Sequence, residues 1–201
     1  MSTLAQYRRR APFYDLELAP FEPLRRSAIA SLGLQPGQRV LDLGCGTGLS
    51  LPGLLQQVGP RGHVTAIEQC PEMLERARQR VVAQGWRNVS LLATDVAKAP
   101  LSGRCDAALF HFTHDILQHS QALRHVAAHL KPGAAVAATG LVWAPPWAAL
   151  SNVFVLGAAL HSTASLAGLD RPWAGLLEMA GDLGLRYHCL GAVYQATGRM
   201  P

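Results

Sequence analysis

The chain has 201 residues, 49% of them hydrophobic and only 15% charged, with a formal net charge of +5. A chain of this length buries roughly 70% of its unfolded surface in one core, and it carries no repeat, linker or low-complexity tract, which argues against separate domains. Basic residues are scattered apart from Arg8-Arg9-Arg10 and Arg25-Arg26, so the positive charge reads as a solvated arginine face and nucleic acid is not expected as a partner.

Residues 1–24 read as an N-terminal helix or arm laid over a ligand site, with Tyr7, Phe13 and Tyr14 as its aromatic residues. No apolar core follows the arginine triplet, so the segment does not resemble a secretion signal and a cytoplasmic location is expected.

Residues 39–49 are the most informative stretch: a leucine-rich strand runs without spacer into Gly44, Gly46 and Gly48. Glycine lacks a Cβ, which lets the backbone take positive φ and approach a ligand at the mouth of a sheet. A helix is expected from about Thr47 or Gly48, its free N–H groups facing that ligand. A dinucleotide fingerprint would place a third glycine at position 49, where leucine stands.

The elements that follow keep a βαβ rhythm. A short helix over 49–58 has Pro52 in its first turn, and His63–Ile67 reads as a second strand ending at Glu68, twenty residues after Gly48. A carboxylate at that point suits a pair of ribose hydroxyls. Helix 71–84 opens on Pro71 and is followed by Gly85; strand 88–93 then leads into Thr94-Asp95-Val96, where Asp95 suits either a ligand contact or an N-cap.

Cys105–Phe110 reads as a buried fourth strand, and 115–129 as one helix stopped by Lys131-Pro132-Gly133. Ala134–Thr139 supplies a fifth strand, while 185–190 and 192–197 read as a closing antiparallel hairpin. Strands alternating with helices in this way predict a doubly wound α/β sheet. Cysteines 45, 70, 105 and 189 form no Cys-x-x-Cys pair and are read as reduced, packed apolar residues.

Asp42 with Gly44-x-Gly46-x-Gly48 resembles motif I of the class I S-adenosylmethionine (SAM) dependent methyltransferases. Glu68 followed by Gln69-Cys-Pro-Glu-Met-Leu resembles that family's next element, and Phe13-Tyr14-Asp15 resembles the arm of its ubiquinone-type and phospholipid-type members. The resemblance implies a mostly parallel, seven-stranded Rossmann-like sheet, one domain over 1–201, and SAM as cofactor. It assigns cofactor contacts to Asp42, Gly44, Cys45, Gly46 and Gly48, to Glu68, Gln69 and Met73, and to Asp95 and Val96. Phe110, His111 and Tyr14 complete that set, Tyr14 as a ring near the sulfonium cation.

The motif Asn/Asp-Pro-Pro-aromatic of the family's nucleic-acid branch is replaced by His111-Phe-Thr-His114. A small-molecule substrate is therefore expected. His111 and His114 are candidate general bases, with Asp115 as an orienting group, and structural capping competes with that role. Their His-x-x-His spacing has no third ligand nearby, so no metal is assigned. The other six histidines read as surface or helix-face residues.

From Pro132 to Leu169 there is no Asp, Glu, Lys or Arg. Overlapping it, 141–172 reads as an apolar lid insertion, too short and interrupted to span a bilayer, which needs ~20 apolar residues. It implies an apolar, aromatic or lipid-like methyl acceptor through oxygen, nitrogen or carbon. A buried helix, a homodimer interface and peripheral lipid contact remain as alternatives, as do a non-catalytic SAM-binding protein and a dinucleotide oxidoreductase for the chain as a whole.

Overall fold

Strands form where β-branched and leucine-rich runs can be buried on both faces, and the computed structural model, which describes residues 14–162 and 165–201, contains seven of them in one sheet. They are β1 (Arg39–Leu43), β2 (His63–Glu68), β3 (Val89–Ala93), β4 (Cys105–His111), β5 (Leu130–Leu141), β6 (Leu183–His188) and β7 (Val193–Arg199). Their order is β3-β2-β1-β4-β5-β7-β6; only β7 runs antiparallel to its neighbours. The expected doubly wound, mostly parallel sheet with a closing antiparallel hairpin is therefore present.

Among the described residues the helices are α1 (Tyr14–Leu18), α2 (Glu22–Ser31), α3 (Leu51–Val58), α4 (Pro71–Gln84), α5 (His114–Leu117), α6 (Ser120–Ala128), α7 (Ala149–Ser162) and α8 (Ala174–Ala180). Proline near the start and a left-handed glycine at the end frame α4, where the Gly85 N–H (φ 66°) closes on the Val81 and Val82 carbonyls.

Strand alternation divides the core into two layers. Leu41, Leu43 and Phe110 pack with α6 and α8 on one face, while Val40, Ala107 and Leu109 pack with α2, α3 and α4 on the other. The same alternation sends Asp42 and His111 to the α2–α3 face. Strand order reverses between β1 and β4, so a crevice opens beyond their carboxyl ends, as it does at such switch points generally.

Three local expectations shift. The glycine stretch first makes a turn, with the Gly48 N–H on the Cys45 carbonyl, so α3 begins at Leu51 rather than near Thr47. The helix expected over 115–129 is two helices, because His119 adopts an extended backbone (φ −99°, ψ 93°) ahead of Ser120. Lys131-Pro132-Gly133 lies inside β5 instead of ending a helix, since pairing with β4 already begins at Leu130 opposite Cys105. Within 141–172, α7 lies between β5 and α8 with Val155 and Ala159 fully buried.

Gly62 joins the end of α3 to β2, and a Cβ there would lie 2.6 Å from the Gln38 and Val58 carbonyl oxygens. Gly62→Ala is expected to lower stability in urea by about 1–3 kcal/mol through backbone displacement. Ligand affinity should stay unchanged, because this joint lies at the amino end of β2 and the crevice at the other.

Candidate active site

The glycine loop is shaped by how closely β1 approaches the segment after β4. Gly44 sits at φ 70°, and a Cβ on it would meet the Thr113 methyl at 2.5 Å. Only a residue without a side chain lets the two strand ends come together here. The Gly44 and Cys45 N–H groups both donate to the Ile67 carbonyl, which ties the loop to the end of β2.

Glu68 completes that corner. Its two carboxylate oxygens accept the Gly46 N–H at 3.0 Å and the Cys70 N–H at 2.8 Å. Burial raises its pKa, while the N–H groups of Cys70, Gly46 and Gln69 pull it back down. A carboxylate fixed by backbone donors keeps further lone pairs for a ligand's hydroxyls. Asp95 behaves similarly at the end of β3: it caps the Val96–Lys98 turn through Ala97 N–H at 2.8 Å and still borders the crevice.

The crevice is a half-open cleft of about 180 Å³ bordered by Gly44, Gly46, Glu68, Gln69, Met73, Asp95 and Val96. Phe112, Thr113, His114, Asp115, Ile116 and His119 form its opposite wall. His119, read as a surface histidine, is exposed, and it also borders the cleft at the break between α5 and α6. Phe112 also escaped notice, although it holds a left-handed φ of 56° at the tip of β4, a backbone strain of about 1–3 kcal/mol that tends to gather at functional sites.

His111 and His114 separate. The His114 Nε2 lies 2.9 Å from the Ala167 carbonyl, which fixes the proton on that nitrogen and leaves Nδ1, buried and without a partner, as an acceptor. His111 does not border this cleft. It opens on a second, smaller cavity of about 20 Å³ behind the glycine loop, shared with Arg25, Asp42, Cys45, Thr47 and Ser50. Burial and the nearby Arg25 push its pKa from 6.5 down to about 3, so it is a poor proton acceptor at neutral pH. Alternation along β4 explains the split, since residue 111 shares its face with Leu109.

The smaller cavity is electrostatically unusual. Arg25 is buried and paired with Glu22 one turn earlier at 2.5 Å, whereas one Asp42 oxygen and both His111 nitrogens have no partner. Burial pushes Asp42 from 3.8 up to about 7, opposed by Arg25 and reinforced by Glu68. An orphaned buried carboxylate oxygen beside a glycine loop fits the cationic amino end of an amino-acid ligand. Cys45 stays protonated here because burial and the two carboxylates push its pKa upward.

An ion-pair clamp holds α1 over the loop. Asp15 accepts from the Thr47 hydroxyl and from Arg80 Nη2 at 2.6 Å, while Arg80 Nε donates to the Thr47 carbonyl at 3.1 Å. Tyr14 opens α1, and its side chain, like Tyr7 and Phe13, lies outside the described residues. Gly48 turns at φ 79° against Leu51 and Ala77, and Phe110 is fully buried on the far face of β4, so both shape the site from behind.

Residues 40–133 match a family model described as a methyltransferase domain. The chain is 45% identical over 65 residues to a protein-L-isoaspartate O-methyltransferase of Ignicoccus hospitalis, 32% of this chain and 31% of that one. It is 28% identical over 134 residues to a demethylmenaquinone methyltransferase of Listeria monocytogenes, 65% of this chain and 56% of the other. The chain thus spans about a third to a half of these relatives' lengths. In fold it superposes over the whole of both chains on the N-methyltransferase NodS of Bradyrhizobium japonicum in complex with S-adenosyl-L-homocysteine, with a TM-score of 0.72 and 19% identity. The comparisons thus show a methyltransferase domain over residues 40–133, on a class I, Rossmann-like methyltransferase fold. SAM is the cofactor of such methyltransferases, and the glycine loop, the anchored Glu68 and the unpaired Asp42 oxygen fit it.

Asp42 carries a measurable pH signature. The folded protein keeps a proton on Asp42 that the unfolded chain gives up near 3.8, so this stabilising contribution fades as pH rises from there to about 7. His111 acts oppositely: the unfolded chain takes up a proton below 6.5 that the folded one refuses down to about 3, so stability is withdrawn as pH falls through that window. In urea titrations, Asp42→Asn is expected to abolish the first slope and His111→Phe the second. SAM affinity, read by calorimetry, should strengthen as pH rises through about 7 in the parent chain and lose that dependence in Asp42→Asn.

The Asp15 clamp predicts a coupled pair. Asp15→Ala and Arg80→Ala should each weaken SAM binding several-fold, and the double variant should be little worse than either single one.

Proposed function

We propose that this chain transfers the methyl group of SAM to a small apolar or aromatic acceptor bound between the tip of β4 and the apolar segment 141–172. The observation that carries this reading is the wall of the cleft: Phe112 borders it and packs edge-on against Phe21 at 5.1 Å, and Phe21 in turn stacks on Phe154 of α7 at 6.3 Å. Three rings thus lead from Phe112 in the cleft wall to the segment lacking charges, an apolar path that favours apolar ligands over polar ones. The Listeria relative, named as a demethylmenaquinone methyltransferase, supports a small-molecule acceptor. In this reading residues 1–24 form an arm over the cofactor site, 141–172 forms the lid, and 1–201 is a single domain.

When bound, SAM supplies an electrophilic methyl group on a sulfonium. The protein's share is position and dryness: a nucleophile must be held about 3 Å from the methyl carbon with water excluded. Glu68 and Asp95 hold the adenosine portion, and Asp42 with the glycine loop holds the amino-acid end. His114 takes a proton from an acceptor hydroxyl or amine through its free Nδ1, while the Ala167 carbonyl keeps the ring oriented. His111 has no such part, since it faces the smaller cavity.

The test is turnover of labelled SAM against matched apolar and polar acceptor panels. Apolar acceptors should be preferred, with S-adenosylhomocysteine released; equal or greater use of polar analogues overturns the acceptor class. On a hydroxyl or amine acceptor His114→Ala should lower kcat by about 10²-fold or more, the usual worth of a positioned base, with SAM affinity unchanged. His111→Phe should leave the kcat of that reaction within a few-fold.

A further inference from the structure

Helix α7 is apolar on both sides, yet only one side is covered. Val155 and Ala159 are fully buried against Leu141, Leu169 and Val193. On the outer side Leu150 is 87% exposed, Val153 69% and Leu160 59%, positions that fall on one stripe at helical spacing. Trp147, 75% exposed, stands at the head of the helix after Pro145 and Pro146. Beside it projects Leu190, 69% exposed and held at a left-handed φ of 54°, on a turn whose Gly191 packs against Pro145. Contiguous apolar surface of this kind marks an interaction site.

The chemistry of the patch favours one occupant. A protein–protein interface carries roughly one hydrogen bond per 100–200 Å². From residue 149 to 160 the polar side chains are Ser151 and Asn152, and Asn152 is turned inward, bonded twice to the backbone of Ala144. A hydrocarbon surface asks for no directional partner. The chain's net charge of +5 adds attraction to anionic headgroups. No described helix is long and apolar enough to cross a membrane, so the fit is to a surface, with Trp147 suited to the headgroup level. Phe154, itself part of the outer side, also begins the ring series that ends at Phe112 in the cleft.

We propose that the outer face of α7, with Trp147 and Leu190, docks on an anionic lipid bilayer and presents the cleft mouth to it, so that the acceptor arrives from the lipid phase. The arrival of the acceptor rests on the apolar-acceptor reading above; the docking does not. The experiment is co-sedimentation of the full chain with vesicles of phosphatidylcholine and phosphatidylglycerol, alongside light scattering of the free protein. The parent chain should bind as a monomer. Leu150→Asp with Val153→Asp should lower vesicle partitioning by about tenfold or more, as removal of two apolar anchors requires. Both positions are exposed, so thermal melting and SAM affinity should not change; if they do, Leu150→Ser alone, with unchanged melting, must still weaken partitioning. Absence of binding, or binding indifferent to these substitutions, overturns the docking. A dimer that the same substitutions dissolve also overturns it, giving the patch to a second copy. Docking that persists while polar acceptors are preferred overturns the acceptor reading alone.

Discussion

Everything functional in this molecule depends on how closely the ends of β1 and β4 approach each other. At Gly44 the backbone lies against Thr113 with no room for a methyl group, and the Gly44 and Cys45 N–H groups are anchored on the end of β2. This junction fixes the glycine loop, the anchored carboxylate of Glu68 and the strained turn at Phe112 in one frame. A side chain at position 44 would part β1 from β4, and both cavities would lose a shared wall.

The two cavities divide the electrostatic work. In the open cleft, Glu68 and Asp95 have their orientation set by backbone donors, so they meet a ligand preorganised. In the smaller cavity Asp42 has no such donors on one oxygen, and burial leaves it half-titrated near neutrality. A cation entering there supplies what the protein withholds. The histidines follow the same division: His114 is oriented through one nitrogen and unpartnered at the other, while His111 is dry and unpartnered at both.

The uncharged segment has two surfaces with different consequences. Its inner side completes the core at the end of β5 and β7 and supplies Phe154 to the ring series that reaches the cleft. Its outer side, among the described residues, is lined by Leu150, Val153, Phe154 and Leu160, all exposed. In the proposed reading this one helix links acceptor choice to the surroundings from which an acceptor is drawn.

The sheet, the glycine loop and the carboxylates at the strand ends were legible because each rests on local rules: strand and helix periods, turn glycines, and fixed spacing within a βαβ unit. Of the pattern Asp42-x-Gly44-x-Gly46-x-Gly48 with Glu68, the residues Gly44, Gly46 and Glu68 border the cleft and Asp42 borders the smaller cavity. Alternation along β1 and β4 was also readable, and it would have put Asp42 and His111 on one face. Which histidine meets the cleft was settled by tertiary structure, because it depends on what packs above each face of the sheet. The clamp from Asp15 to Thr47 and Arg80 joins residues far apart in the chain, and no local period announces it. The break at His119 and the exposed side of α7 belong to the same class. An apolar run states that burial is favourable, and only the folded chain decides which side finds a partner.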